Sequence, residues 1–176
     1  MRYHHTKNKG DLGLVQAMAD LTAKGWAILV PLTEHEAFDL VAYRDGRFLR
    51  VQVKYRAAVN GVVTVPMRTS WADRHGVHNV PIERDLIDVL CAYCQDTDAC
   101  YYLDPRLLTT TTCLRIAPTR NNVAKGVRWA KDFLEIPETV LGVPAGFALP
   151  LERSPVVRHS REPRAVWLVS AHSSAG

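Results

Sequence analysis

The stretch FDLVAYRDGRFLRVQVKYR, residues 38–56, decides the fold. Asp45-Gly46 at its centre suits a two-residue type I′ hairpin, whose central residues both take positive φ. Folding the chain about that dipeptide sets Arg44 opposite Arg47 and Tyr43 opposite Phe48. Further down the same ladder Asp39 comes to oppose Gln52. Opposed residues of an antiparallel pair share a face, with Cβ atoms about 4.5–5.5 Å apart. Side chains alternate along a strand, so Lys54 joins Gln52 on that face. Phe38, Leu40, Ala42, Leu49, Val51 and Val53 fall on the other face, which should lie on the core. A bulge in either strand would break this register.

Outward from the hairpin, residues 11–24 (DLGLVQAMADLTAK) read as a helix. Leu14, Met18 and Leu21 form its apolar stripe, and Gly25 follows as a left-handed cap. WAILVP is a short strand. Asn60-Gly61 marks a second tight turn before VVTVP. Residues 68–81 read as irregular. IDVLCAYC and ACYYLDP form a further hairpin around QDTD. Residues 121–134 read as a basic amphipathic helix. Beyond residue 136 the chain holds five of its ten prolines, and 137–176 reads as an extended or partly disordered tail. Helix, strands and a late helix together predict an α/β (α+β) domain around a mixed central sheet flanked by helices.

The bulk composition fits one such domain. The chain has 176 residues, 47% of them apolar, which suffices for one real core. Its 22 Lys+Arg against 18 Asp+Glu give a net +4, which permits nucleic-acid binding without establishing it. The polar opening MRYHHTKNKGD has no apolar run behind it, so neither a signal peptide nor a membrane span is expected, and the protein should be soluble and cytoplasmic. In such a compartment Cys91, Cys94, Cys100 and Cys113 should be free thiols. Cys91 and Cys94 lie three apart on a strand and point to opposite faces, against their sharing a zinc ion.

A carboxylate, an amide and an ammonium on one rigid face suit phosphodiester hydrolysis. A hard divalent ion such as Mg2+ takes oxygen ligands, commonly one or two carboxylates. Asp39 offers a carboxylate, Gln52 a side-chain carbonyl, and Val53, between Gln52 and Lys54, a main-chain carbonyl. Lys54 can orient water or offset charge developing on the phosphate. The same three side chains also fit a solvated strand face with a salt bridge. Against that, Val41 and Tyr43 share the face. Asp11 follows the helical stripe, three and seven residues before Leu14 and Met18, and is a candidate to turn inward and join the site. The other reading of Asp11 is a carboxylate favouring the helix N-terminus.

At these residues the sequence resembles the group I intron-encoded homing endonucleases built on the PD-(D/E)XK nuclease fold. The matching phrases are KNKGDLGLVQAMADLTAKGW, PLTEHEAFDLVAYRDGRFLRVQVKYR, SWADRHGVHNVP and IDVLCAYCQDTDACYYLDP, within roughly residues 5–133. The resemblance implies a restriction-endonuclease-like core in an endonuclease domain spanning 1–136. In it Asp39 matches the metal-binding Asp and Lys54 the motif Lys. Gln52 stands where most nucleases of this fold carry an acid, and the intron-encoded branch resembles it in using Gln. Asp11 matches an acidic first-helix position where Glu is expected. A double-strand cut in a long DNA target, a Mg2+ requirement and a homo-oligomer, dimer or tetramer, are implied as well. A junction resolvase or repair-type nuclease of the same fold, or an inactive DNA-binding remnant, are the competing readings.

Candidate DNA contacts fall in two groups. Arg56, Arg68, Arg74 and His75 flank the hairpin site. Arg120, Asn121, Asn122, Lys125 and Arg128 open the late helix, whose N-terminus would add phosphate donors.

Overall fold

A computed structural model describes residues 5–33, 35–118 and 125–142. All of them fall in one compact unit, Met1–Gly146. The chain opens with helix α1 (His5–Ala23). Gly25 ends it at φ 81°, with Trp26 N–H returning to the Leu21 carbonyl. Strands β1 (Ala27–Leu29), β2 (Leu40–Arg44) and β3 (Arg47–Arg56) follow. The β2–β3 turn is the expected one: Asp45 and Gly46 have φ 51° and 79°, and Arg44 pairs with Arg47. After β4 (Ala58–Val59), the Asn60-Gly61 turn leads into β5 (Val62–Pro66) in the same way. Next come β6 (Arg68–Asp73), β7 (Gly76–Pro81), β8 (Val89–Cys94), β9 (Ala99–Leu103), β10 (Thr111–Arg115) and a short helix α2 (Glu138–Leu141).

The central sheet has the order β1-β2-β3-β8-β9 and is mixed, because β3 and β8 run parallel while the other pairs are antiparallel. One face packs on α1. Leu40, Ala42, Leu49, Val51, Val89, Cys91 and Tyr102 bury there with Ala17 and Leu21 of the helix. The other face of β8 and β9 is covered by a small sheet, β10-β5-β4. There Leu90, Ala92, Cys94 and Leu103 meet Val63, Val65 and Leu114. Cys91 and Cys94 thus enter different cores, while Cys113 is exposed on β10. Among the described residues no helix is long and apolar enough to cross a membrane.

Four expectations are corrected. Residues 68–81 are a regular hairpin, β6–β7, closed by Arg74-His75 with Asp73 paired to Gly76. Its residues make their own two-stranded sheet and β7 is almost wholly exposed, so no buried face marks it in the sequence. The late helix does not form over its described part. A turn at Gly126 (φ 75°) leads to Trp129, bridged to Arg115, and then to a 3-10 turn, Ala130–Phe133. The 137–176 segment does not start as an extended chain, since α2 lies in it. Residues 143–176 lie outside the described set. Phe38 precedes β2 and packs with the β5–β10 core instead of the α1 side.

Asp104 ties α2 down. It is 4% exposed, accepts from Thr139 Oγ1 at 2.7 Å, and pairs with Arg106 Nη2 at 2.7 Å. Burial raises its pKa, but the bonds from Arg106 and Thr139 outweigh it and hold the carboxyl below the ordinary range. Its stabilisation is therefore fully present above the unfolded-state value of about 4 and fades as pH falls through the folded one. Asp104→Ala should cost about 1–3 kcal/mol in urea titrations at pH 7. That deficit should narrow below about pH 4. An unchanged midpoint at neutral pH would contradict this account.

Candidate active site

Gly13 brings α1 against β3 where the site begins. A Cβ built there would meet Tyr55 Cβ at 3.3 Å and Tyr55 N at 3.4 Å, so the helix crosses nearly in backbone contact beside Lys54. Gly13→Leu should therefore force the two apart and cost about 1–3 kcal/mol, read by thermal or urea unfolding. A neutral outcome would mean that the close crossing is not structural.

The expected register holds from Arg44–Arg47 down to Leu40–Val51. There it ends: the Asp39 N–H also turns to the Val51 carbonyl, at 2.9 Å, so Asp39 and Leu40 both face Val51 as in a β-bulge, and Asp39 does not pair with Gln52 as expected. Val51 and Val53 pack on the α1 side, so Gln52 and Lys54 project from the opposite face. Asp39 Oδ2 accepts from the Val53 amide at 2.6 Å. In an extended strand the N–H and C=O of one residue leave on the same edge. The Val53 carbonyl is thus offered on the edge that Asp39 occupies.

The outer face of β3 carries Arg50, Gln52, Lys54 and Arg56 at alternate positions. Arg50 is used structurally, because Asp88 takes its Nε and Nη2, both at 3.0 Å. Of the other three, Gln52 is neutral, and neither Lys54 nor Arg56 makes an ion pair among the described residues. Gln52 Oε1 is buried with no donor among the described residues. Lys54 Nζ donates to the Arg68 carbonyl at 3.1 Å and makes no ion pair. Burial and the neighbouring Arg56 pull its pKa down to about 8, against the opposing pull of Asp39. Asp39 keeps an exposed edge, yet the protein around it withholds enough water to raise its carboxyl above the ordinary range, even though the Val53 amide and Lys54 favour the anion. A simple salt-bridged face would have paired Asp39 with Lys54, and it does not.

These groups fit a hard divalent cation. An orphaned amide oxygen costs free energy in a folded chain unless something meets it. The Asp39 carboxylate and the Val53 carbonyl, on the β2 edge of the same strand, are oxygen donors as well. Asp39, Gln52 and the Val53 carbonyl are the residues that would hold such an ion.

Asp11 is a correction. It is exposed, with no hydrogen bond or ion pair to any described residue. The helix face that meets the sheet runs through Gly13, Ala17 and Leu21 instead. The helix also starts six residues earlier than expected, so Asp11 is not at its N-terminus.

The basic candidates divide. Lys54, Arg56 and Arg68 line one cavity of about 640 Å³, which Lys9 and Gly10 of α1 close from the other side. Lys9 went unnoticed in the sequence because the first turns of α1 carry no apolar stripe. Arg74 and His75 sit at the tip of β6–β7, with Arg74 Nε bonded to His75 Nε2 at 2.9 Å. Six-residue strands place that tip roughly 17 Å from Arg68 at the base. Arg128 lines a different cleft with Arg115 and reaches Thr112 at 3.4 Å, while Lys125 is exposed in the turn before it. That cleft shares no residue with the Lys54 cavity. Arg120, Asn121 and Asn122 lie outside the described residues.

A family model described as PD-(D/E)XK endonuclease matches residues 4–136. Among solved structures, that of a bacterial homing endonuclease, I-Ssp6803I, is similar at a TM-score of 0.59 and 21% identity, covering 74% of this chain and 88% of that one. At that identity the likeness is one of fold. No curated protein sequence matches the chain.

Proposed function

The chain belongs to the PD-(D/E)XK endonuclease family, and from that premise we propose that it is a site-specific endonuclease cutting both strands of a DNA duplex with Mg2+. The observation that carries this reading is the buried Gln52 Oε1, without a donor among the described residues, on the face of β3 that also carries Lys54. A buried amide oxygen left without a donor is unfavourable, and a divalent cation would complete it. Bound Mg2+ supplies polarisation of the scissile phosphate and a more acidic water. Asp39, Gln52 and the Val53 carbonyl hold it. Lys54 stabilises negative charge developing on the phosphate.

The β6–β7 hairpin carries Arg68, Arg74 and His75 toward the duplex, and Arg56 lies on the same basic side of the site. Arg120, Asn121, Asn122, Lys125 and Arg128 form a second, separate DNA contact. The homing reading, with a target interrupted by a group I intron, follows from the likeness to I-Ssp6803I and from the sequence phrases above. Homo-oligomeric assembly gains support from an open apolar rim, where Val30, Leu32 and Phe48 are 60%, 102% and 62% exposed. Residues 1–136 are the catalytic unit.

The test is digestion of the intron-free allele of the gene around this reading frame, with cruciform DNA in parallel. One double-strand cut in Mg2+, absent in EDTA, is expected. Binding without cutting would leave a remnant, and preference for the cruciform would make the protein a resolvase.

A further inference from the structure

Past Lys54, β3 ends in a cation for which the cleavage chemistry has no use. Arg56 projects two residues further along the same face. Its Nε is sealed from solvent and meets no acceptor, and no carboxylate among the described residues pairs with it. A half-buried guanidinium whose Nε is sealed from water and lacks an acceptor is unfavourable unless an anion completes it. Burial accordingly lowers its pKa.

The surroundings have the same sign. The cavity of about 640 Å³ in which Arg56 stands is walled by Lys9, Lys54 and Arg68, with no acidic residue in its lining. Lys9 comes from α1, where its Nζ stands 5.7 Å from the Tyr55 ring centroid. Arg68 comes from the base of the β6–β7 arm. Three separate elements therefore turn cations into one opening. Arg56 and Lys54 are two residues apart on a strand, about 6.6 Å. That separation is comparable with the spacing of neighbouring phosphates along one DNA strand.

We propose that Arg56, with Lys9 and Arg68 around it, binds a second phosphate oxyanion, distinct from the one at Asp39, Gln52 and Lys54. Its identity as the backbone phosphate next to the scissile one rests on the nuclease reading; free inorganic phosphate has the same chemistry. Arg56 is then a positioning residue. It fixes where along the strand the reacting phosphate falls, leaving Lys54 free for the reaction itself.

Two arms test this. In the first, the side-chain Nε–H signal of Arg56, assigned by its loss in Arg56→Lys, is followed by NMR as inorganic phosphate is added without DNA or metal. A saturable shift is expected. A signal that stays still while phosphate reaches concentrations that move other arginines overturns the site. In the second, binding of a duplex of unrelated sequence is measured in EDTA against salt. Arg56→Gln should flatten the slope of log affinity on log salt by about one, the share of one phosphate contact. Asp39→Asn should leave that slope as in wild type. A phosphate-induced shift with an unchanged slope overturns the DNA assignment in favour of free phosphate. Arg56→Lys, which keeps charge without the planar fork, should hold the slope while weakening the phosphate binding that the first arm reads. Neither arm requires cleavage. Both positive with no cutting would support the oxyanion site and sink the nuclease reading; cutting with both negative would do the reverse.

Discussion

Asp39→Ala is expected to abolish DNA cleavage while leaving binding in EDTA or Ca2+ largely intact. Asp39, just before β2, makes no ion pair among the described residues. Its carboxylate has a single described bond, from the Val53 amide at 2.6 Å, on an exposed edge. Removing that bond at a solvated position costs on the order of 1 kcal/mol, too little to unfold the domain. Removing the charge takes from a divalent ion its only anionic protein ligand at Gln52 and Val53. Asp39→Asn sharpens the result, since the amide oxygen can still accept from Val53. Both variants should be inactive and both should bind a duplex with nearly wild-type affinity. Loss of binding together with cutting and a lowered unfolding midpoint would give Asp39 a folding role instead.

Lys54→Ala should lower the chemical step by a factor on the order of 10²–10³, the usual effect of losing one preorganised electrostatic donor. The ammonium is half-buried, fixed by the Arg68 carbonyl at 3.1 Å, and free of any ion pair. Its effect on a nearby phosphate is therefore only partly screened by water and is not cancelled by a direct ion pair. The pH dependence follows from the same placement. Because the Lys54 pKa is lowered to about 8, the cation is lost as pH rises through that value. Because the Asp39 carboxyl is raised, the anion is lost at a higher pH than for an ordinary carboxylate as pH falls. At subsaturating Mg2+, kcat/KM should thus be bell-shaped, with its alkaline limb near 8. Lys54→Arg should push that limb out of range, and Lys54→Ala should erase it. Wild-type turnover in Lys54→Ala would remove the residue from the mechanism.

How much could be read before the coordinates depended on which signals have a local cause. Asp45-Gly46 and Asn60-Gly61 take positive φ at both positions, and that local chemistry sets the register of whole ladders. Once Arg44 faces Arg47, the pairing down to Leu40 with Val51 is arithmetic, but the turn of Asp39 to Val51 in place of Gln52 is a local bulge that counting along the chain does not reveal. Gly25 ended α1 for the same kind of reason. The β6–β7 hairpin was illegible because Arg74-His75 is no turn signature and β7 is exposed on both faces, so no alternation arises along it. β10 hid behind Thr112, which is polar yet 1% exposed and occupies the inward position that an apolar residue would have advertised. Asp11 was misplaced because the true contact line of α1 runs through Gly13, a residue with no side chain to mark it. The cavity around Arg56 joins α1, β3 and β6, and such convergence from distant segments has no signature along the chain.

Crystals grown with Mn2+ in place of Mg2+ would test the central claim most directly, through the anomalous signal of the ion. One peak is predicted, within coordinating distance of an Asp39 carboxylate oxygen, Gln52 Oε1 and the Val53 carbonyl. A map with no ion there, or with Mn2+ held by other residues while Gln52 Oε1 stays without a partner, would contradict the account.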